Sequence, residues 1–308
     1  MKCLCCGKEI KNNNSSWHTS CIKKFFHTTK LPILDFKDFE FQINELGESL
    51  VSNNKSVTGV QRKLSLHLSK DNNLLRLTLI GYPQGYILKP NSNEFPFIAE
   101  AEHLVMSMAK ECGINTTLHA LIDVCGRYSY ITKRVDREEN DKIHMEDFCQ
   151  LSLRPTEYKY NGSYEKCAKI IDKFSSNAML DKVELFLRIV FCYITGNSDM
   201  HLKNFSLIEK NDNVSLSPAY DLLPVKMLIN DEEELALTLN GKKKNITKND
   251  LFIFAENIGI NYKVANNLIS FLVKKEEHLI FMIEESLLPD EIKKSFTEYI
   301  CAKINILK

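Results

Sequence analysis

The hydrophobic positions along this chain predict strands interrupted by a helix in the first half and mainly helices in the second. Residues 85–90 (GYILKP) and 128–137 (YSYITKRVDR) have the alternating, β-branched and aromatic character of strands. Between them, residues 97–113 carry apolar side chains at helical spacing and end on a glycine, which is typical of a helix C-cap. Residues 181–195 (DKVELFLRIVFCYIT) are apolar on nearly every side, which predicts a helix buried in a large core. The pattern is again helical across residues 251–308.

A polar segment follows the predicted buried helix, beginning where Gly196 interrupts the pattern. Asp199 and Asn204 stand there in a D-x4-N spacing, and Asp221 follows in the segment SPAYD. Residues 205–216 predict a hairpin that returns the chain, so that Asp221 can meet Asn204 at one metal ion. Phosphoryl transfer needs one carboxylate for the nucleophile's proton, and an amide oxygen and a second carboxylate to hold Mg²⁺. The alternative interpretation is a polar surface loop whose aspartate caps a helix.

Candidate phosphate-binding groups precede this loop. Residues 55–68 (KSVTGVQRKLSLHL) place Gly59 among small residues between two predicted strands, where backbone N–H groups could bind phosphate. Lys89 ends the next strand, and a lysine in that place binds the α- and β-phosphates of ATP in kinases. An ordinary solvated lysine is the alternative. Glu100 and Glu102 lie near the start of the following helix, and either could pair with Lys89.

These segments together resemble the HipA-type serine/threonine kinases, the toxin kinases of bacterial toxin–antitoxin systems. The resemblance runs from about residue 56 to residue 225, carried in order by SVTGVQRKL, GYILKP, AEHLVMSMAKECGI, TKRVDR, MEDFCQ, GNSDMHLKNFSL and LSPAYDLL. It implies an α/β (α+β) bilobal kinase-like fold, with a small N-lobe of β-sheet and helix and a larger, mainly helical C-lobe. The expected domains are a Cys/His zinc-binding segment at 1–30, the N-lobe at 31–135 and the C-lobe at 136–308.

The resemblance also implies a role for each motif residue. Asp199 would be the catalytic aspartate, with His201 and Lys203 in the same loop and Lys203 helping to neutralise the γ-phosphate. Asn204 and Asp221 would hold Mg²⁺. The residues that would contact ATP are Lys89, Glu102, Ser56, Val57, Thr58, Gly59, Lys133 and Val135. Glu102 matches the family's helix glutamate and is the expected partner of Lys89.

One difference between this sequence and HipA indicates a particular branch of the family. HipA carries a further subdomain before its phosphate loop, whereas that loop begins here near residue 55. This shorter layout is most similar to HipT, the kinase of three-gene systems, in which the subdomain is a separate small protein. Hydroxyl residues of this loop are autophosphorylation sites in that family, which here implies Ser56 and Thr58. Phosphate at these positions would add negative charge beside the γ-phosphate and lower activity; the alternative is hydroxyls that only shape a turn.

The function implied by the resemblance is phosphorylation of a protein serine or threonine, with ATP and Mg²⁺ as cofactors. The expected target is a bacterial aminoacyl-tRNA synthetase, whose phosphorylation halts translation and growth. The expected partners are antitoxins, namely a HipS-like small subdomain protein and a HipB-like DNA-binding protein. A small-molecule kinase could use the same residues. A pseudokinase scaffold is a third interpretation, although the four kinase residues Lys89, Asp199, Asn204 and Asp221 are all present.

Four of the ten cysteines fall within the first 21 residues. Cys3-x2-Cys6 and His18-x2-Cys21 form two ligand pairs separated by an Asn/Ser-rich turn, a pattern that predicts a tetrahedral Zn²⁺ site. Four protein ligands leave no open position, so such a site would be structural. Cys5 would be a spare thiol or an alternative ligand. A set of free thiols in a tethered arm is the competing interpretation.

Composition narrows the class of protein. The 308 residues include 40 basic and 40 acidic side chains, so no overall basic field favours direct binding to nucleic acid. No apolar run reaches the length of about 18 residues that a membrane span needs, and the start (MKCLCCGKEI) lacks the apolar core of a signal peptide. The other six cysteines are scattered among predicted core elements, as suits a reducing cytosol. We therefore expect a cytoplasmic chain with no membrane partner.

Overall fold

The structure is a computed structural model. It describes residues 1–11, 15–34, 63–71, 74–79, 85–91, 94–124, 126–138, 141–229 and 233–308. The predicted phosphate loop, with Ser56, Val57, Thr58 and Gly59, lies outside the described residues. The chain divides into two compact units, the first made of Met1–His103 with Thr117–Lys142 and the second of Leu104–Thr116 with Ile143–Lys308. The functional division into a zinc segment and two lobes stays a prediction.

A six-stranded sheet organises the described part of the first unit. Its strand order is β1-β3-β2-β4-β6-β5, in which β1 runs parallel to β3 and every other pairing is antiparallel. The strands are β1 (Ile33–Leu34), β2 (Leu64–Asp71), β3 (Leu74–Leu79), β4 (Tyr86–Pro90), β5 (His119–Val124) and β6 (Arg127–Lys133). A two-stranded ribbon, β7 (Arg137–Glu138) with β8 (Asp141–Lys142), follows.

Two helices accompany the sheet in sequence. Helix α1 (Thr19–Phe26) precedes β1, and α2 (Ile98–Glu111) follows β4. The side of α2 that its periodicity predicted to be apolar is buried: Ile98, Ala101, Val105, Met108 and Ala109 are each at most 1% exposed. Gly113 has a φ of +77° and ends the helix, as the sequence predicted.

The second unit is mainly helical. A three-stranded antiparallel sheet in the order β11-β10-β9 is formed by β9 (Met145–Asp147), β10 (Ser206–Lys210) and β11 (Asn213–Leu216). The helices are α3 (Phe148–Leu151), α4 (Tyr164–Phe174), α5 (Ala178–Thr195), α6 (Val225–Leu228), α7 (Lys248–Asn257), α8 (Tyr262–Val273), α9 (Glu276–Glu284) and α10 (Asp290–Leu307). This mixed α/β composition with helical C-terminal elements agrees with the predicted fold class. None of the helices in the described residues combines the length and apolarity needed to cross a membrane.

Helix α5 is the core of the second unit. Every residue from Leu185 to Thr195 is at most 7% exposed, which confirms the predicted buried helix. The one charge in this stretch, Arg188, is compensated: its Nε donates to Glu184 Oε1 at 2.9 Å and its Nη2 to the Ser217 carbonyl at 2.7 Å. A buried guanidinium without such partners would be strongly destabilising.

Gly196 ends α5 in the left-handed conformation, with φ at +69°. Its N–H donates to the Cys192 carbonyl, and its own carbonyl accepts from the Lys226 N–H at 3.1 Å. A Cβ built on this glycine would lie 3.0 Å from Lys226 Cβ and from Tyr299 Cε1. Glycine is therefore required here by both backbone conformation and space.

We expect Gly196→Ala to destabilise the protein more than Gly241→Ala. Gly241 has a similar φ of +74° but open space around its Cα, so its variant carries only the left-handed penalty of about 1–2 kcal/mol. Gly196→Ala adds the overpacking cost, about 1–3 kcal/mol more. Urea unfolding followed by circular dichroism measures both losses. Equal losses of stability in the two variants would show that the Lys226 and Tyr299 side chains move away from the added Cβ at no energetic cost.

A buried histidine pair makes the first unit sensitive to acid. The rings of His103 on α2 and His119 on β5 lie 5.3 Å apart between centroids. Burial, and then the proximity of His119, lowers the pKa of His103 to about 3. An unfolded histidine titrates near 6.5, so the unfolded state binds more protons as the pH falls between these values. His103 therefore contributes stability above about pH 6.5 that is lost progressively toward pH 3.

The variant His103→Gln should lose less stability than the wild type as the pH falls. We expect its free energy of unfolding to decline less steeply than that of the wild type between pH 6.5 and 4, because glutamine does not titrate. Urea titrations at a series of pH values measure the two slopes. At pH 7.5 the position-103 histidine is neutral in both the folded and the unfolded wild type. A comparison of the two proteins at that pH therefore measures the packing change without the titration. Parallel slopes would exclude His103 as the source.

Candidate functional site

The loop after α5 is fixed by its own hydrogen bonds. The Asp199 N–H donates to Asn197 Oδ1 at 3.2 Å, and the His201 N–H donates to the Asp199 carbonyl at 2.8 Å. The Asn204 N–H then donates to the His201 carbonyl at 2.9 Å, within a short 3₁₀ turn. Asp199 and Asn204 are 6% and 4% exposed. The D-x4-N segment is thus a folded, largely buried turn held at the end of a rigid helix.

The orientation of the Asn204 amide follows from one further bond. Its Nδ2 donates to the Asp199 carbonyl at 2.9 Å, across the turn. With the nitrogen engaged as a donor, the amide oxygen is the atom suited to ligate a hard cation. The same bond ties the Asn204 side chain to the backbone of Asp199, so neither residue can rotate independently of the other.

Asp221 is brought to this loop by the residue before it. The Tyr220 hydroxyl donates to the Lys203 carbonyl at 3.1 Å and lies 2.6 Å from Ser206 Oγ. Burial raises the pKa of Tyr220, so the phenol stays protonated and donates. Asp221 itself has a left-handed φ of +55°, a conformation that is uncommon for a residue other than glycine and that clusters at functional sites.

The chain between Asn204 and Asp221 is the hairpin that the sequence predicted. β10 and β11 pair in antiparallel register up to Lys210 and Asn213. Asn211 and Asp212 form the turn with φ values of +51° and +60°, as a two-residue type I′ turn requires. The hairpin returns the chain, which brings the SPAYD segment back beside the start of β10.

Tyr160 and His201 complete the surroundings of Asp199. The Tyr160 hydroxyl donates to Asp199 Oδ1 in a short hydrogen bond, and its ring packs edge-on against His201 with centroids 4.9 Å apart. His201 is 3% exposed, and neither ring nitrogen has a hydrogen-bond partner in the described part of the chain. Burial lowers the pKa of His201 to about 4, against the opposing effect of Asp199. At neutral pH this imidazole is therefore uncharged.

Lys203 makes an ion pair outside this cluster. Its Nζ lies 3.0 Å from Asp147 Oδ2, and about a third of the Lys203 side chain is exposed. Asp147 also caps helix α3 in a capping box with Gln150. To reach a phosphate group, Lys203 would exchange this carboxylate for the phosphate. Its predicted contact with the γ-phosphate stays a prediction.

In the first unit, Lys89 and Glu102 form a buried ion pair. Lys89 Nζ lies 2.5 Å from Glu102 Oε1, and the side chains are 3% and 0% exposed. Lys89 Nζ also lies 5.2 Å from the centroid of the Tyr130 ring. The other candidate, Glu100, instead accepts from Asn91 Nδ2 at 2.8 Å. The pairing that the sequence predicted, with Glu102 as the partner, is present in the structure.

The other predicted contacts to ATP in this unit lie at the end of β6. Lys133 Nζ is 2.9 Å from His27 Nε2, on the residue that ends α1. Val135 lies in the turn after β6, where the Arg134 N–H donates to the Gly85 carbonyl at 2.9 Å. This turn, which we call the connector, therefore has a defined backbone. The contacts of Lys133 and Val135 with ATP stay a prediction.

The four predicted zinc ligands lie together in the first unit. Cys3, Cys6, His18 and Cys21 each offer one ligand atom, and these atoms all lie within 4.8 Å of one another. Cys5 is not part of this cluster.

A comparison with known families now identifies the chain. Residues 55–279, well over half of its length, match the HipA-like C-terminal domain. The chain belongs to the HipA-like family. This HipA-like chain is also 31% identical over 265 residues to a protein of Haemophilus influenzae described as "Putative kinase", with 76% of each chain covered.

HipA of Shewanella oneidensis is similar to this chain in both sequence and structure. The serine/threonine-protein kinase toxin HipA of Shewanella oneidensis is 26% identical over 274 residues; the alignment covers 79% of this chain and 61% of the toxin. A solved structure of Shewanella oneidensis MR-1 HipA with HipB and operator DNA matches with a TM-score of 0.71 at 20% identity, covering 88% of this chain and 70% of that one. At such identity the structural match establishes the fold alone.

Sequence reasoning missed three residues that hold the site of this HipA-like chain. Asn197 and Tyr220 position the segments that carry Asp199 and Asp221, and Tyr160 donates to the Asp199 carboxylate. Asn197 and Tyr220 could have been suspected, because each stands one or two residues from a motif carboxylate. Tyr160 lies 39 residues before Asp199 and carries no motif, so only the tertiary structure reveals it.

We expect Glu102→Gln to destabilise the first unit much more than Glu100→Gln. Loss of the Glu102 charge breaks the buried ion pair with Lys89, which costs about 3–5 kcal/mol. Glutamine at position 100 can still accept from Asn91, and burial already raises the pKa of Glu100, so we expect a loss below about 1 kcal/mol there. Urea unfolding of both variants tests this. Similar losses of unfolding free energy in the two variants would mean that the ion pair adds no extra stability.

Proposed function

We propose that this chain is an ATP- and Mg²⁺-dependent kinase that phosphorylates serine or threonine hydroxyls of a protein. The observation that carries the proposal is the loop from Asn197 to Asn204. Asp199 and Asn204 are fixed there by hydrogen bonds, and Tyr220 holds the segment that carries Asp221 against the same loop. Membership of the HipA-like family and the kinase relatives support it.

Asp199 is the residue proposed to position the acceptor hydroxyl and accept its proton. Its Oδ1 already accepts the Tyr160 hydroxyl, so the carboxylate is held in one orientation before a substrate arrives. The neutral His201 imidazole, buried beside it, adds no positive charge that would compete for the Asp199 carboxylate. A carboxylate so oriented can receive the proton as the hydroxyl oxygen bonds to the γ-phosphorus, while the bond from that phosphorus to the bridging oxygen breaks and ADP leaves.

Asn204 and Asp221 are proposed to hold Mg²⁺. Their amide and carboxylate oxygens are the hard donors that this ion prefers, and one or two protein ligands with phosphate oxygens and water complete its usual shell. The fixed Asn204 amide fits this set, because its nitrogen is engaged with the Asp199 carbonyl. Bound Mg²⁺ supplies neutralisation of the phosphate charge.

Lys89 is proposed to bind the α- and β-phosphates of ATP, with Glu102 fixing the direction of its ammonium group. Their buried ion pair supports this role, because the Glu102 carboxylate lies 2.5 Å from Lys89 Nζ and fixes its position. The predicted phosphate loop (Ser56, Val57, Thr58 and Gly59) and the connector residues Lys133 and Val135 are proposed to complete the contacts to ATP.

The acceptor and the partners are proposed from the relatives. The Shewanella oneidensis relative is described as a toxin kinase, and its solved structure is a complex with HipB and operator DNA. We propose that this chain is likewise the toxin of a toxin–antitoxin system, of the short HipT layout, with a HipS-like and a HipB-like protein as partners. An aminoacyl-tRNA synthetase is the proposed target, and Ser56 and Thr58 are the proposed autophosphorylation sites.

Asp199→Asn should lower phosphoryl transfer about 10²–10⁴-fold, because amide nitrogen and oxygen cannot accept the proton. ATP affinity should change little, since Asp199 is not assigned to its phosphates. The matched control is Asp212→Asn, an exposed aspartate at the hairpin tip whose left-handed backbone asparagine tolerates. Mass spectrometry after incubation with Mg·ATP and a bacterial lysate measures transfer, and equilibrium dialysis measures ATP binding.

The same spectra separate the three interpretations. New phosphate on Ser56, Thr58 or a protein of the lysate, lost in Asp199→Asn and kept in Asp212→Asn, supports a protein kinase. Phosphate appearing only on a metabolite would instead show a small-molecule kinase. ATP binding without any transfer would show a pseudokinase and overturn the proposal.

A further inference from the structure

The cluster of Cys3, Cys6, His18 and Cys21 has the dimensions of a metal site. Tetrahedral Zn²⁺ with Zn–S bonds of about 2.3 Å holds its sulfur ligands about 3.8 Å apart. The four ligand atoms lie within 4.8 Å of one another, and Cys6 Sγ is 3.3 Å from His18 Nδ1. A contraction of about 1 Å at most would therefore bring them to coordination distance.

The backbone is arranged to present both ligand pairs. Gly7, with φ at +70°, donates its N–H to the Cys3 carbonyl at 2.8 Å and closes the turn that carries Cys3 and Cys6. A bridge between Lys2 and Glu9 holds the base of that turn. The second pair stands at the start of α1, with His18 immediately before the helix and Cys21 in its first turn.

Hydrogen bonds behind the ligands favour a metal-binding state. His18 Nε2 lies 3.0 Å from the Glu9 carbonyl and donates to it, which leaves Nδ1 as the lone-pair nitrogen that faces Cys6. The His18 backbone N–H also donates to Cys3 Sγ at 3.3 Å. A carbonyl that fixes the tautomer of a ligating histidine, and an N–H that stabilises a thiolate, are the supports that structural metal sites use.

We propose that these four side chains bind one structural Zn²⁺ and that the ion holds the N-terminal segment on the sheet that carries Lys89. Three thiolates and one neutral imidazole fill a tetrahedral shell and leave no position for a substrate. The proposal does not depend on the kinase function, since it concerns the folding of the first unit.

One contact of this segment is with the edge of the sheet. β5 is the terminal strand in the order of the described strands. The Leu121 N–H donates to the Leu4 carbonyl at 2.8 Å, and the Leu121 carbonyl accepts from Trp17 Nε1 at 3.0 Å. Leu4 lies between the ligands Cys3 and Cys6, and Trp17 directly precedes His18. The metal would therefore fix the two residues that cover this edge.

A further contact is between α1 and β4. The rings of Phe25 and Phe26 lie 5.8 and 5.2 Å from the Tyr86 ring, and the Tyr86 hydroxyl donates to the Phe25 carbonyl at 3.2 Å. Tyr86 and Lys89 are three residues apart on one strand, so their side chains point to opposite faces. α1 thus supports β4 from the face opposite to the one on which Lys89 meets Glu102.

A bound metal would add to the stability that the contacts with the sheet already give this short segment. α1 has eight residues, well below the length of about 12–15 at which an isolated helix becomes stable in water. Binding of Zn²⁺ to two ligand pairs, Cys3 with Cys6 and His18 with Cys21, would add folding energy.

Zinc content tests the site directly. The full chain, expressed in zinc-supplemented medium and purified without chelator, should contain about one zinc per chain by elemental analysis. Cys21→Ser should lose most of it. The matched control Cys5→Ser changes a thiol in the same turn that is outside the ligand cluster and should keep it. Less than about half an equivalent in the wild type, or an N-terminal disulfide in its non-reduced mass, would overturn the proposal.

A second measurement keeps the test valid if Cys21→Ser does not fold. Trp17 is the only tryptophan of the chain, and it is 1% exposed. Removal of zinc from folded wild-type protein by the chelator TPEN should shift its fluorescence to longer wavelength as the indole leaves β5, and added Zn²⁺ should reverse the shift. Zinc that leaves without any change in this emission would refute the role of the ion in holding the segment on the sheet.

Discussion

Helix α5 is buried on every side from Leu185 to Thr195, so it cannot shift without repacking the core of the second unit. The geometry of the candidate site depends on this constraint. Gly196 turns the chain out of the helix with a backbone that other residues adopt only under strain, and the next eight residues form the loop. The Asp199 carboxylate and the Asn204 amide are thus held in place by the fold, as preorganised catalysis would require of the proposed site.

The main constraint in the first unit is a buried charge, the Lys89 ammonium group. This group is almost fully buried, and the Glu102 carboxylate lies 2.5 Å from it. The sheet fixes one partner at the end of β4, and α2 fixes the other within its first turns. The ion pair therefore links β4 to α2 in addition to the burial of the apolar side of α2.

Much of this could be predicted from local patterns, for physical reasons that differ between residues. Helix α5 and the hairpin of β10 and β11 follow from periodicity, because burial imposes spacings of 3.6 and 2 on apolar residues. The pairing of Lys89 with Glu102 follows from a strand end and a helix start that are close in sequence. Tyr160 could not be predicted, because no local rule relates it to Asp199 across 39 residues.

The resemblance to HipA-type kinases assigned roles to residues that their spacing alone could not assign. A D-x4-N segment is common, and only its order after the strand lysine and helix glutamate indicated a kinase. The zinc ligands are an intermediate case: their spacing predicted a site, but only the folded chain shows that Nδ1 of His18 faces Cys6. The phosphate loop lies outside the described residues, so the roles of its residues stay predictions from the sequence.

The Tyr220 hydroxyl joins the two ends of the β10–β11 hairpin, since it contacts both Ser206 and the Lys203 carbonyl. The distance between Asn204 and Asp221 is thus set at the base of the hairpin and not by its length. Its tip, at Asn211 and Asp212, is exposed. An insertion or an engineered label at this tip would therefore leave the proposed metal ligands undisturbed.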